Sequence, residues 1–162
     1  MLILPEQKIG KMTSSIIRVT KEFSFDMAHA LLGYDGPCSN IHGHTYHLHV
    51  TIRGRVLNQT NHPKDGMLLD FGLLKAIVNQ KVIQKYDHSL VLNKELAEEV
   101  KINLSHITEK IIYTSFQPTC ENLLLSIKEE LYTAFAHENF DLCALKLYET
   151  PTSYAEWLIT DN

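Results

Sequence analysis

Cys38, His42 and His44 stand within seven residues of one another, and His29 lies thirteen positions before His42. In an extended segment residues i and i+2 share a face, so His42 and His44 can point the same way. Three imidazoles form a common catalytic zinc shell when the fourth coordination position stays open. Cys38 then has two readings. As a fourth ligand it would close the shell into a Cys-His₃ structural site. As a separate group it would be a reactive thiol beside an open metal, where the nearby cation favours the thiolate.

Two further features could do chemistry. Asp87-His88 is an adjacent carboxylate–imidazole pair, common on surfaces, but able to relay a proton if it reaches Cys38. Glu149 continues the parity of Cys143, Leu145 and Leu147, and a carboxylate on an apolar face needs a partner unless it turns to solvent. Such a carboxylate can accept two parallel N–H bonds from a guanidine-like edge.

The elements that must position these groups follow from pattern. Residues 15–28 are rich in β-branched and aromatic types, with Phe23, Phe25, Met27 and His29 on one parity, which predicts a strand running into His29. Residues 31–41 carry Gly33, Asp35-Gly36-Pro37, Ser39 and Asn40 and read as a loop. Residues 42–55 alternate, predicting a second strand antiparallel to the first. His42, His44, Tyr46, Leu48, Val50 and Ile52 take one face, and His47 and His49 the other. Only the first histidine pair therefore shares the apolar side; His47 and His49 belong to solvent or an interface.

Asp70 is a plausible N-cap for a helix over FGLLKAIVNQKVIQKY, with Phe71, Leu74, Ile77, Val78 and Val82 at helical spacing. Residues 94–114 are ambiguous and read as partly helical. A second helix is expected from about Thr119 to His137, a strand over 141–149 and a last strand over 153–159. That order predicts an α+β fold, with helices packed on one face of a sheet.

A chain of 162 residues suggests one domain, here 15–162, preceded by a tail over 1–14 that could dock on a partner subunit. Met12 is an alternative start. A formal net charge of -4 without a Lys/Arg run gives no footprint for nucleic acid. Cys38, Cys120 and Cys143 are widely spaced and odd in number, which argues against a disulfide framework and for a reducing cytoplasm. Neither a membrane span nor the pattern of a signal peptide is evident.

Six segments in order, FSFDMAHAL (23–31), CSNIHGHTYHLHV (38–50), GMLLDFGLLK (66–75), YDHSLVLN (86–93), PTCENL (118–123) and LYET (147–150), resemble the 6-pyruvoyltetrahydropterin synthase / 6-carboxytetrahydropterin synthase family. The resemblance implies a tunnelling fold (T-fold). Its antiparallel sheet would carry two main helices on one face and close into barrels as trimers, stacked as a homohexamer with sites between subunits. It also implies Zn²⁺ on His29, His42 and His44, Cys38 as the proton-abstracting base, and Asp87 and His88 as its relay from a neighbouring chain. Glu149 would anchor the pterin, with Thr119 and Glu121 lining its pocket, and the substrate would be 7,8-dihydroneopterin triphosphate.

Within that family, the three-residue gap between Cys38 and His42 is similar to the 6-carboxytetrahydropterin synthase branch of the queuosine pathway, which releases acetaldehyde as well as triphosphate. The sister branch, which only eliminates triphosphate, tends to a longer gap. A pterin-binding module without catalysis is a further alternative, opposed by the intact Cys38 and Asp87-His88. Three departures stand out: the long stretch between His88 and Pro118, the extra N-terminal tail, and Cys120 where a Ser or Thr is expected.

Overall fold

The computed structural model describes residues 15–162. The expected tail, with Met12, lies outside the described residues. Strands β1 (Ile16–His29) and β2 (His42–Arg55) pair antiparallel in unbroken register, from Ile16 opposite Arg55 to His29 opposite His42. Their alternation is the expected one. Phe25, Met27 and His29 face Tyr46, His44 and His42 across the ladder on the inner side, and Tyr46, Leu48, Val50 and Ile52 are fully buried.

Strand β5 (Asp141–Thr150) pairs with β2, and β6 (Ser153–Leu158) with β5, both antiparallel. The other flank corrects the expectation of a purely antiparallel sheet. Strand β3 (Ser89–Asn93) runs parallel to β1, and β4 (Ile111–Thr114) parallel to β3, giving a mixed sheet of order β4-β3-β1-β2-β5-β6. Parallel neighbours require a crossover of a dozen or more residues. Residues 94–110, with the short helix α3 (Glu98–Ser105), supply it for β3 and β4. The ambiguous stretch is therefore a helix and a strand.

The first long helix begins under Asp70, whose Oδ1 accepts from the Gly72 N–H at 2.7 Å. It comprises α1 (Phe71–Val78), a π-helical turn over Asn79–Ile83 and α2 (Gln84–Tyr86). Leu74, Val78, Val82 and Tyr86 are buried, whereas Phe71, expected on the apolar face, is exposed. Helix α4 (Cys120–Ala134) is capped by the Thr119 hydroxyl and buries Leu123, Leu124, Ile127 and Leu131. The two helices cover the inner face of the sheet and form one core with β2 and β5. Fully burying each such aliphatic side chain stabilises the fold by about 1.5–3 kcal/mol.

In β5 the register slips: Thr51 opposes Ala144 and Ile52 opposes Leu142, so Cys143 is the extra residue of a bulge. Leu142, not Cys143, thus shares the inward phase of Leu145 and Leu147, although Cys143 is also buried. No helix among the described residues is long and apolar enough to cross a membrane.

Candidate metal centre and active site

The end of the β1–β2 ladder brings His29, His42 and His44 together. One ring nitrogen of each lies within 4.8 Å of those of the other two, and the ring centroids are 4.5, 5.4 and 5.0 Å apart. Backbone carbonyls fix two of the rings. His29 Nδ1 donates to the Pro118 carbonyl at 2.7 Å, and His42 Nδ1 to that of Asn40 at 2.8 Å. Each Nε2 is left with its lone pair, the arrangement that outer carbonyls impose on metal-ligating histidines. His44 Nε2 is buried with no hydrogen-bond partner. Burial holds His29 below its ordinary pKa, which keeps the imidazole neutral and able to ligate. An orphaned buried nitrogen facing two aimed ones fits a cation such as Zn²⁺.

Glu149 borders this cluster at the end of β5. Its Oε1 is 3.5 Å from His29 Nε2 and accepts from the Tyr46 hydroxyl at 3.1 Å. Burial first, then the Glu149 charge, pushes the Tyr46 phenol far above its ordinary pKa, with smaller contributions from Cys120 and Cys38. The carboxylate is only partly exposed, so it is a strand-end glutamate with a partner rather than one turned to water.

The start of α4 forms the adjacent wall. The Thr119 oxygen is engaged as the cap, accepting from the Asn122 N–H at 3.3 Å, and Glu121 is exposed on the first turn. Cys120 points inward, donating to the Leu147 carbonyl at 3.3 Å, and burial pushes its thiol up to about 11. Cys120 is thus a packed neighbour of Glu149's strand.

Cys38 lies in a 3-10 turn, Pro37–Ser39, in the loop between the two ligand strands. Its carbonyl accepts from the Leu31 N–H at 2.9 Å. The same loop is gripped by Gln117, whose side chain accepts from the Leu32 N–H at 3.0 Å and donates to the Leu32 carbonyl. The partly exposed thiol does not join the group of three histidines.

Asp87 and His88 lie elsewhere. Asp87 Oδ1 accepts from His88 Nδ1 at 3.0 Å and from the Asp26 N–H at 3.0 Å, and the latter bond chiefly draws the Asp87 carboxyl below its ordinary pKa. Asp26, held by the Thr45 hydroxyl at 2.6 Å, and Thr45 alternate with Met27 and His44, so they occupy the outer face of the sheet. The pair is therefore tied to the side opposite the histidine cluster of its own chain. Asp26, Thr45, Tyr46, Gln117 and Pro118 escaped sequence reasoning. Only the placement of Pro118 and Gln117 beside Thr119 pointed to them.

Known proteins match most of the chain. A family model described as 6-pyruvoyl tetrahydropterin synthase matches residues 18–158. The 6-carboxy-5,6,7,8-tetrahydropterin synthases of Rickettsia bellii and Haemophilus influenzae are each 34% identical, covering 87% and 88% of this chain and 99% of their own lengths. Among solved structures, protein WS1659 of Wolinella succinogenes superposes with a TM-score of 0.70 at 21% identity, covering 90% of this chain and 99% of its own. The Caenorhabditis elegans 6-pyruvoyl tetrahydropterin synthase gives 0.63 at 25%, covering 89% and 96%. The fold is that of the T-fold proteins, and from Arg18 to Leu158 the chain belongs to the 6-pyruvoyl tetrahydropterin synthase family.

Proposed function

We propose that this protein is a zinc-dependent lyase. It would convert 7,8-dihydroneopterin triphosphate and water to 6-carboxy-5,6,7,8-tetrahydropterin, triphosphate and acetaldehyde, in 7-deazaguanine (queuosine) biosynthesis. The observation that carries this reading is the three-histidine cluster, with two rings aimed by carbonyls and a third nitrogen buried without a partner. The relatives' names favour the carboxypterin product, as does the short Cys38–His42 spacing.

His29, His42 and His44 hold the metal, which when bound acts as a Lewis acid on substrate oxygens and acidifies the adjacent C–H bonds. Cys38, outside the ligand set, removes a proton from the substrate's side chain so that triphosphate can leave. Glu149, steadied by Tyr46, receives the N–H edge of the pterin, beside the Thr119 cap and Glu121. Asp87 and His88 serve the Cys38 of a neighbouring copy, a reading supported by their attachment to the sheet face opposite their own histidine cluster. That requirement accords with a homohexamer whose trimers close the sheets into barrels. The small-molecule substrate and a cytoplasmic setting complete the reading.

Incubating the zinc-loaded protein with 7,8-dihydroneopterin triphosphate and resolving the products by mass spectrometry tests it. Carboxytetrahydropterin with acetaldehyde is the expected outcome. Absence of triphosphate release would overturn it, and 6-pyruvoyltetrahydropterin without acetaldehyde would assign the sister reaction.

A further inference from the structure

The helix that delivers Asp87 and His88 ends abruptly, and its end leaves a specific vacancy in the hydrogen-bond ladder. The Asp87 N–H still bonds Ile83 in helical fashion, at 2.8 Å. His88 then turns into the left-handed region, at φ 57°, and its N–H goes to the Asp26 carbonyl on β1, at 2.7 Å. In a continuing helix that N–H would have served Gln84, four residues back. The Gln84 carbonyl is thereby orphaned, and a helix end needs some other donor there.

Lys110 supplies it. Its ammonium donates to the Gln84 carbonyl at 2.9 Å and to the Asp87 carbonyl at 2.5 Å. Its own backbone carbonyl accepts from the Leu90 N–H at 2.9 Å, so Lys110 grips the chain on both sides of His88. A cation at a helix C-terminus is also favoured by the helix dipole. Lys110 belongs to the long crossover between α3 and β4, so that extra stretch reaches the base of the relay pair. An exposed lysine bound to two main-chain oxygens of one turn gives up rotamer freedom that an ordinary surface lysine keeps.

We propose that Lys110 is a positioning residue for the Asp87–His88 pair: it replaces the donor lost when His88 leaves the helix, and so fixes where that imidazole points. Its role rests on the reading of Asp87 and His88 as a relay that serves a neighbouring copy's Cys38. The relay acts across a subunit boundary, so Lys110 must follow Asp87 and His88, not Cys38, when chains are mixed.

Co-expression of differently tagged chains separates the possibilities. Cys38→Ala with His88→Ala is the control: sites joining an intact thiol to an intact relay recover turnover of 7,8-dihydroneopterin triphosphate. If they do not, the relay assignment itself falls. With that control positive, Lys110→Met alone should lower kcat about tenfold or more, as small misplacements of catalytic groups do, with KM and zinc content near wild type. Lys110→Arg, which keeps the charge and the donors, should restore most of the rate. Lys110→Met mixed with Cys38→Ala should recover activity, whereas Lys110→Met mixed with His88→Ala should not. Unchanged kcat in Lys110→Met, or recovery in the His88→Ala mixture, overturns the proposal. A fall in thermal midpoint that Lys110→Arg corrects without correcting kcat would make Lys110 a structural cap only.

Discussion

The hydroxyl of Tyr46 donates to Oε1 of Glu149 at 3.1 Å, joining the middle of β2 to the end of β5 beside the histidine cluster. The carboxylate's Oε2 is left to meet a ligand. Tyr46→Phe keeps the ring stacked on Phe25, 5.3 Å away, and removes only the donor. Stability should fall by about 0.5–1.5 kcal/mol in chemical denaturation. KM for the pterin should rise several-fold, with zinc content unchanged. An unaltered KM would show that Glu149 needs no help in facing its ligand.

Replacing Cys38 separates an open metal site from a closed one. Cys38→Ala should retain stoichiometric zinc and thermal stability while turnover falls by about 100-fold or more, the usual scale for a positioned base. Loss of zinc together with stability would instead make the thiol a fourth ligand.

The metal-free protein should be acid-sensitive in a defined window. Burial lowers the His29 pKa below 6.5, so the unfolded chain takes up this proton before the folded one does. Stability is therefore fully present above about pH 6.5 and is lost as pH falls from there through the lower native value. Denaturant midpoints of the apo protein between pH 7.5 and 5 should decline, and His29→Gln should flatten that decline.

The three thiols should behave differently. Cys38 is partly exposed, whereas Cys120 and Cys143 are buried, so iodoacetamide at pH 8 should modify one cysteine of the folded chain and abolish turnover. Peptide mapping identifies which. With the Cys120 thiol raised from 9.0 to about 11, its contribution to stability persists below pH 9 and is lost as pH climbs through that interval. The loss amounts to roughly 2–3 kcal/mol. Cys120→Ala should remove the slope between about pH 9 and 10, below the range in which the buried Tyr46 phenol adds its own.

Long alternating strands make the histidine cluster legible in the sequence. In β1 and β2 the period of two places His29, His42 and His44 inward and His47 and Thr45 outward, and nothing in the structure disturbs that phase. Asp70 announces its helix because a cap has a chemical signature, and the second helix, expected to start near Thr119, has that residue as its cap. Strand β3 announced nothing: Ser89, Leu90, Val91 and Leu92 are all buried, so a strand covered on both sides shows no alternation. The bulge at Cys143 is invisible for a related reason, since an inserted residue breaks the very period used to detect the strand. The groups that aim His29 and His42 are main-chain carbonyls of Pro118 and Asn40, and no side-chain pattern encodes a carbonyl's direction.

The widened turn at Asn79–Ile83 has a rotational consequence for Asp87 and His88. Leu74, Val78, Val82 and Tyr86 are buried at strict intervals of four, yet four residues of a regular α-helix overshoot one revolution by about 40°. Three such steps would swing Tyr86 by about 120° from the line of Leu74. A turn closed by longer-range bonds takes up part of that overshoot and returns Tyr86 to the core. The azimuth of Tyr86 then sets that of the two residues after it. Deleting one residue from this turn would leave a straighter helix while rotating Asp87 and His88 by about 100°, away from Asp26. The apparent irregularity in the helix is thus the joint that aims its far end.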